Sequence, residues 1–388
     1  MKRIACIVEG YVNQTEANAI CLNEIIKEMN TEVLIDVITI ESNRSGWNNN
    51  IYSIDKSKLI IKNEFIRKVV KFIHMPIGNK NLSRLIAKET NKVLNQNKYD
   101  TLMVIVNPIE AADAICLIRE KNPDLKIILY EIDPASNRYK NPKSLIEKLW
   151  KRKSILWEEQ IYKNCDKIIH MKSHYNHFSQ NNFSQFNSKT HYLDIPSFKV
   201  DVLPNKKNNI CQMVYAGAFY PVLRNPFPMI DILKKLSKIV DIEVHIYTGN
   251  NMKNEIVKSV KNYEMFHVND YVSQEELRKI YTNSDILLDL GNMDSDYLPS
   301  KPFQYMGTGK PIIHFKQDES DVTIKYFKKY KNALIVSLKN ENQGLKEITE
   351  FINNMKNKNI LYTREELENL FYENTPKYTA EKLLEKIR

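Results

Sequence analysis

The stretch LPSKPFQYMGTGKPII, residues 298–313, decides how the rest of the chain is read. Pro299 ends the approach, Ser300 is placed to cap a helix over residues 301–307, and Gly307 and Gly309 close that helix before an apolar strand over 311–315. A short helix feeding a buried strand is one step of a parallel α/β alternation. The helix start also carries chemistry. Its free N–H groups and partial positive charge suit an anion, and Lys301 adds a full charge there. A cation at that end costs the helix roughly 0.3–1 kcal/mol, so its presence points to an anionic ligand.

The same alternation continues toward the N-terminus. Strands at 212–215, 243–247, 265–268 and 286–289 alternate with helices at 227–240, 255–263 and 274–283. The first half repeats the plan, with strands at 3–8, 33–40, 101–106, 126–130, 167–170 and 190–193. Its helices fall at 15–29, capped by Thr15, through much of the lysine-rich segment 58–96, and at 144–163. Between the halves, PSFKVDVLPNKKNN (196–209) is polar and proline-containing and reads as a linker. Helices at 364–372 and 377–387 follow the last strand and are placed to pack back across the first half. A length of 388 residues exceeds what one core supports. The expected architecture is α/β: two Rossmann-like domains, over 1–200 and 201–363, with C-terminal helices over 364–388 returning to the first.

Composition narrows the class. Hydrophobic residues at 43% and charged residues at 27% exclude wholesale disorder. Five scattered cysteines with no CxxC spacing read as buried thiols in a reducing compartment. The apolar start is too short for a signal peptide and meets Glu9 at once, and no run approaches the about 20 residues that span a bilayer. A cytoplasmic protein is expected. The net charge of +10 favours an anionic partner. No RNP-like, zinc-finger or helix-turn-helix signature accompanies it, so no nucleic acid is expected. KNEFIRKVVK (62–71) and LIEKLWKRK (145–153) mix basic and apolar residues in a way that suits peripheral contact with an anionic membrane, at the inner face of the cell.

Open parallel sheets bind ligands beyond the carboxyl ends of their strands. That filter selects the loops 9–15, 107–111 and 131–137 in the first half, and 217–226, 248–250, 269–273 and 291–301 in the second. In VYAGAFYPVLRNP, Gly217 lets backbone approach a phosphate and the Arg224 guanidinium can pair with it through two hydrogen bonds. Gly249 and Tyr271 lie in neighbouring loops of the same edge. A plain strand-to-helix turn with a surface arginine remains the alternative for the first stretch, and a helix entry with an incidental lysine for the second.

Together GAFYPVLRNP, VNDYVSQEEL, SDILLDLGN, PSKPFQYMGTGKPII, ENTPKYTAEKLLEKI and the early pair Glu158 or Glu159 with Asp166 resemble the glycosyltransferase family 4 type of GT-B enzymes, glycosyl transferases group 1. The resemblance implies two domains facing across a cleft, the acceptor-side domain being 1–200 and the nucleotide-sugar-binding domain 201–363. It also implies transfer of a sugar from a nucleotide diphosphate sugar to a glycan or lipid-linked glycan acceptor, with retention, in bacterial surface polysaccharide synthesis. It gives Arg224 and Lys301 the role of the basic pair on the donor diphosphate. The family's E-x7-E glutamates fall on Asp296 and Gln304, both substitutions here. Gln304 keeps a carbonyl acceptor for a ribose hydroxyl but no charge. Pro299 and Ser300 complete the donor-binding set. On the acceptor side the family's glycine-rich loop is reduced to Gly10, so Asn13, Thr15 and Asn107 are expected to meet the ligand, and Asp133 is the candidate base or acceptor-orienting group.

No metal or other cofactor is expected, because the basic pair does the charge neutralisation. Asp294-Ser295-Asp296 spells D-x-D, a short match with a high chance rate. His170, His174 and His177 are spaced to share one helix face. Two competing functions stay open: a nucleotide-sugar epimerase on the same fold, and a non-catalytic partner subunit.

Overall fold

The computed structural model describes residues 2–11, 17–41, 46–48, 50–59, 63–106, 108–139, 141–179, 181–204, 208–249, 252–293, 298–357 and 362–388. The chain forms two compact units, Met1–Pro196 with Pro376–Arg388, and Ser197–Thr375.

The first unit runs β1 (Arg3–Glu9), α1 (Ala17–Met29), β2 (Leu34–Glu41), β3 (Gly46–Asn48), β4 (Ile51–Asp55), α2 (Glu64–His74), α3 (Lys80–Gln96), β5 (Thr101–Ile105), α4 (Ile109–Lys121), β6 (Lys126–Glu131), α5 (Leu145–Lys163), β7 (Lys167–Met171), α6 (Tyr175–Ser179) and β8 (Thr190–Leu193). Its sheet has the order β3-β4-β2-β1-β5-β6-β7-β8 and is parallel except for the β3–β4 pair. Both faces are covered, which is why β1 reads as the unbroken apolar run IACIV. Ile4, Cys6 and Val8 face one core, and Ala5 and Ile7 the other.

The second unit contains β9 (Cys211–Ala216), α7 (Phe227–Leu236), β10 (Ile242–Tyr247), α8 (Lys253–Val260), β11 (Phe266–Asn269), α9 (Gln274–Asn283), β12 (Ile286–Leu290), α10 (Lys301–Gly307), β13 (Ile312–Lys316), α11 (Ile324–Phe327), β14 (Ala333–Ser337), α12 (Glu341–Asn357) and α13 (Arg364–Leu370). The sheet order is β11-β10-β9-β12-β13-β14, all parallel. One face buries Met213, Val244, Leu288, Ile313 and Phe315 against Ile230 and Leu233 of α7 and Ile348 and Ile352 of α12. Ser273 and Glu276 form a reciprocal capping box that fixes the start of α9.

A last helix, α14 (Pro376–Ile387), belongs to the first unit. Ala380, Leu383, Leu384 and Ile387 share a core with Leu22, Ile25, Ile26 and Met29 of α1, and Lys2 Nζ donates to the Ile387 carbonyl at 2.8 Å. Each fully buried leucine or isoleucine contributes about 1.5–3 kcal/mol, enough to hold the chain end in place. The return comes at Pro376 rather than at 364. The α13 segment stays with the second unit because Phe371 packs on Phe198 at 4.9 Å and Arg364 Nη2 donates to the Val200 carbonyl at 3.2 Å. The β3–β4 hairpin, α4, β14 and α12 add to the elements expected from sequence.

Candidate functional site

In the second sheet the strand order reverses between β9 and β12. The loops leaving these two strands therefore diverge and leave a crevice for a ligand at their carboxyl ends. The loop after β9 turns back on itself, with Tyr220 and Arg224 exchanging backbone hydrogen bonds of 3.1 and 2.9 Å. It is pinned to the loop after β12 by Met293 N donating to the Leu223 carbonyl at 2.9 Å, and by Gln317 Nε2, which reaches both Leu223 O (3.2 Å) and Gly291 O (2.5 Å).

This doubling-back aims Arg224. Its Nε and Nη2 donate to Asn292 Oδ1 at 3.0 and 2.8 Å, and Nη1 approaches the Ala218 carbonyl at 3.4 Å. Asn292 is buried, so the guanidinium is held by a fixed acceptor two residues beyond β12. Below it the Tyr215 hydroxyl is pushed up by burial, while the charge of Arg224 pulls it down and those of Asp289 and Tyr271 push it further up. Gly217 follows directly, with room at its Cβ position limited by the Tyr215 hydroxyl at 3.3 Å.

Lys301 opens α10, whose position is set by Tyr305. The Tyr305 hydroxyl accepts from Ala216 N at 3.0 Å and lies 3.3 Å from Ala216 O, tying α10 to the end of β9. Lys301 Nζ lies 5.9 Å from the centre of the Tyr305 ring, and among the described residues no hydrogen-bond acceptor reaches it. Part of the side chain meets solvent, yet burial brings the ammonium down to about 8, with the charge of Asp289 acting the other way.

Ser300 departs from its expected role. It precedes α10 with helical backbone angles, φ −76° and ψ −25°, and makes no capping hydrogen bond. Pro302 within the first turn removes one of the N–H groups that would need a cap. Ser300 and Pro299 are half-buried beside it, and Gln304 is exposed one turn on from Lys301. Gly249 and Tyr271 are in contact: a Cβ at Gly249 would fall 2.6 Å from Tyr271 Cδ2, so the tyrosine ring lies on bare backbone while 56% of the residue stays open. Asp296, with the rest of the D-x-D, lies outside the described residues.

In the first unit Gly10 ends β1 at φ +65°, a conformation suited to glycine, and Tyr11 N donates to Thr39 Oγ1 at 3.3 Å. Asn13, Thr15 and Asn107 lie outside the described residues. Asp133 is exposed after β6, its Oδ1 3.6 Å from His174 Nε2. Glu158, not Glu159, is the buried member of the early pair. It accepts from Ser136 N at 2.9 Å and from Ser136 Oγ, and burial lifts it to about 7 against those hydrogen bonds. It thus anchors the loop that carries Asp133. Asp166 instead takes Arg119 Nη2 at 2.6 Å and Ile127 N at 2.7 Å.

The three histidines do not share a helix face. His170 ends β7, stacked on Phe178 at 3.4 Å and 3.3 Å from Glu131 Oε2, while His177 Nε2 meets Ser136 Oγ at 2.8 Å. The spacing crosses a strand-to-helix boundary, so helical periodicity does not apply. Among the described residues Glu243, His245 and His267 bring three ligand atoms within 4.8 Å of one another. The two imidazoles stack at 4.7 Å, and His245 Nε2 pairs with Gln212 Oε1 at 2.9 Å.

Sequence reading missed Asp289, Asn292, His314 and Asp321. A signal was present in two of them: Asp289 interrupts the strand ILLDL and His314 the strand IIHF, where both neighbours are apolar.

No protein-family model matches the chain, and no curated protein matches it either. Solved structures do. Sucrose-phosphate synthase from Thermosynechococcus elongatus is similar at a TM-score of 0.70 and 11% identity, over 100% of this chain and 99% of that one. The catalytic domain of starch synthase IV from Arabidopsis thaliana, bound to ADP and acarbose, gives 0.62 at 8% identity over 100% and 98%. The lipopolysaccharide outer core galactosyltransferase WaaB gives 0.58 at 12% identity over 99% of each chain. At such identities the likeness establishes the fold: this chain has the GT-B fold of two Rossmann-like α/β units.

Proposed function

We propose that the protein is a glycosyltransferase that moves a sugar from a nucleotide diphosphate sugar to a glycan or lipid-linked glycan, with retention, in bacterial surface polysaccharide synthesis. The observation that carries this reading is the pairing of Arg224 and Lys301 at the carboxyl edge of β9 and β12, one held by Asn292 and the other a partly desolvated ammonium with no described acceptor. The fold neighbours named above support it.

In this reading the donor diphosphate lies at the β9–β12 crevice. Breaking the bond between the anomeric carbon and the diphosphate oxygen sends the electron pair to that oxygen, where Arg224 and Lys301 offset the growing charge. The acceptor oxygen forms the new bond and gives up its proton, with Asp133 the candidate to orient or receive it. Gly217 lets the phosphates approach backbone, Gln304 accepts from a ribose hydroxyl, and Tyr271 on Gly249 offers an aromatic face to the base. The two cations do the neutralising, so no metal is required. Incubation with a panel of nucleotide sugars and glycan acceptors tests the assignment. Transfer is expected. An isomerised donor sugar without transfer would favour an epimerase, and absence of nucleotide-sugar binding a partner subunit.

The Lys301 ammonium sets a pH dependence. A bound diphosphate favours its charged form, so binding takes up a proton once the free group has begun to lose its own. Affinity for a nucleoside diphosphate is therefore expected to be level near pH 7 and to fall by up to about tenfold per unit above pH 8. Calorimetry in buffers of different ionisation enthalpy reads the proton uptake. Affinity level to pH 9.5 would contradict the role of this group.

A cytoplasmic place at the inner membrane face completes the reading. Phe65, Val69 and Phe72 are exposed along one face of α2, and Leu145, Ile146 and Leu149 at the start of α5. Phe72 packs on Trp150 at 5.1 Å, which joins the two helices' apolar residues into one patch. Exposed Arg67, Lys68, Lys148, Arg152 and Lys153 flank it. Basic residues around exposed aromatic and aliphatic side chains match an anionic bilayer in both charge and polarity. No helix among the described residues is long and apolar enough to cross a membrane. Vesicles containing anionic lipid should sediment the protein and neutral ones much less, and Phe65→Ser with Leu149→Ser should cut sedimentation at least fivefold. Equal sedimentation with both vesicle types would remove this surface.

A further inference from the structure

His314 is fully buried on β13, directly opposite Asp289 of β12 in the parallel register. Its Nδ1 lies 2.7 Å from Asp289 Oδ2 and its Nε2 3.1 Å from Asp321 Oδ2. The second contact is a charge contact more than an aligned hydrogen bond, since Asp321 Oδ2 has no partner of good geometry. Asp321 Oδ1 is already satisfied by Thr323 N at 2.8 Å and Thr323 Oγ1 at 2.6 Å. An ionised carboxylate only accepts, so a ring held between two of them carries a hydrogen on both nitrogens. Phe327 stacks on that ring at 4.6 Å.

The same trio touches the crevice from beneath. A Cβ at Gly291 would fall 1.9 Å from Asp321 Oδ2, so the chain leaves β12 pressed against this carboxylate. The next residue, Asn292, holds Arg224, and on the preceding side Asp289 acts on Lys301. Both proposed diphosphate cations therefore depend on the four residues Asp289 to Asn292, and the imidazolium locks that segment from below.

We propose that His314 is a positioning residue for the donor diphosphate: clamped as a cation between Asp289 and Asp321, it fixes the end of β12 and offsets two buried negative charges that would otherwise oppose the incoming phosphates. This deepens the glycosyltransferase reading and rests on it. The groups that bear on the ring are Asp289 from β12 and Asp321 and Thr323 from the segment after β13, and the Asp289 charge also acts on Lys301 and Tyr305 of α10 and on Tyr215 of β9. Burial works against the imidazolium, but the two aspartates outweigh it and lift His314 to about 9. Its folded value is thus raised above the unfolded one, so its contribution to stability is complete below about pH 6.5 and is lost as pH rises through about 9.

Two readouts test the clamp in the full-length chain. Nitrogen NMR of histidine-labelled protein at pH 7.5 should show His314 protonated at both nitrogens, with no nucleotide present; a neutral tautomer overturns the proposal. Titration with UDP, ADP and GDP should show His314→Gln binding at least tenfold more weakly than the wild type. Adding Asp321→Asn to that variant removes one uncompensated charge and should recover at least threefold, a rescue that lost packing alone does not give. Unchanged affinity in His314→Gln, or no rescue, overturns the offset role. If His314→Gln does not fold, Asp321→Asn alone keeps the ring and should lower the pH at which His314 titrates; an unchanged titration overturns the proposal. A wild type that binds no nucleoside diphosphate sinks the diphosphate reading itself, while the NMR result still decides whether the ion trio exists.

Discussion

Replacing Arg224 or Lys301 by alanine is expected to lower sugar transfer about 10²–10³-fold, the usual consequence of removing one fixed donor from a site where charge develops. The loss should fall mainly on kcat, because in the proposed reaction both groups would act most strongly as the diphosphate leaves. Arg224→Lys should rescue poorly. Asn292 Oδ1 takes both Nε and Nη2 of the guanidinium, and an ammonium cannot reproduce that fork while also facing a phosphate. Lys301→Arg should retain more, since Lys301 makes no described hydrogen bond that fixes its geometry. Initial-rate kinetics over donor concentration check both. Wild-type rates in either alanine variant would contradict the assignment of the pair.

Gly307→Ala is expected to destabilise the protein by about 2–3 kcal/mol, against the local trend. Within a helix alanine is ordinarily favoured over glycine by about 0.5–1 kcal/mol. Here the new Cβ would fall 2.1 Å from the Lys199 carbonyl oxygen and 3.2 Å from its carbon. That strand of backbone cannot swing aside without loss, because Asp201 N donates to Gly307 O and Leu203 N to Thr308 O, each at 2.9 Å. Forcing atoms into such a contact costs about 1–3 kcal/mol and occasionally more, which outweighs the propensity gain. A unit of this size shifts by about 2–4 °C per kcal/mol, so the thermal midpoint should drop by about 5–10 °C. A raised midpoint would mean that the 197–203 segment does not lie on α10. Because α10 carries Lys301, weaker nucleotide binding should accompany the loss.

Much of the fold was legible because its signals are local. Apolar runs such as IACIV and ILLDL mark strands buried on both faces, and Ser144 and Ser273 announce helices by accepting from Glu147 N and Glu276 N. The hairpin over 46–55 escaped because its strands are short, and α12 because its polar sequence conceals the few positions, Ile348 and Ile352, that reach the core. For the candidate site, the strand-end rule selected Gly217, Arg224, Gly249, Tyr271 and Lys301, since that rule depends only on strand order and direction. It did not reveal what aims them. Asn292 and Arg224 are 68 residues apart, and His314 reaches Asp289 across 25. Such partners are chosen by sheet register, which a single sequence does not display. Ser300 failed as a cap for a related reason: its backbone had already turned helical ahead of Pro302.

The central claim, a nucleoside diphosphate held by Arg224 and Lys301, is tested most directly by calorimetric titration at pH 7 of the wild type, Arg224→Ala and Lys301→Ala with UDP, ADP and GDP. The account predicts micromolar binding of at least one of them by the wild type and a loss of at least thirtyfold in each variant. Absence of binding to all three, or equal affinity in the variants, would contradict it.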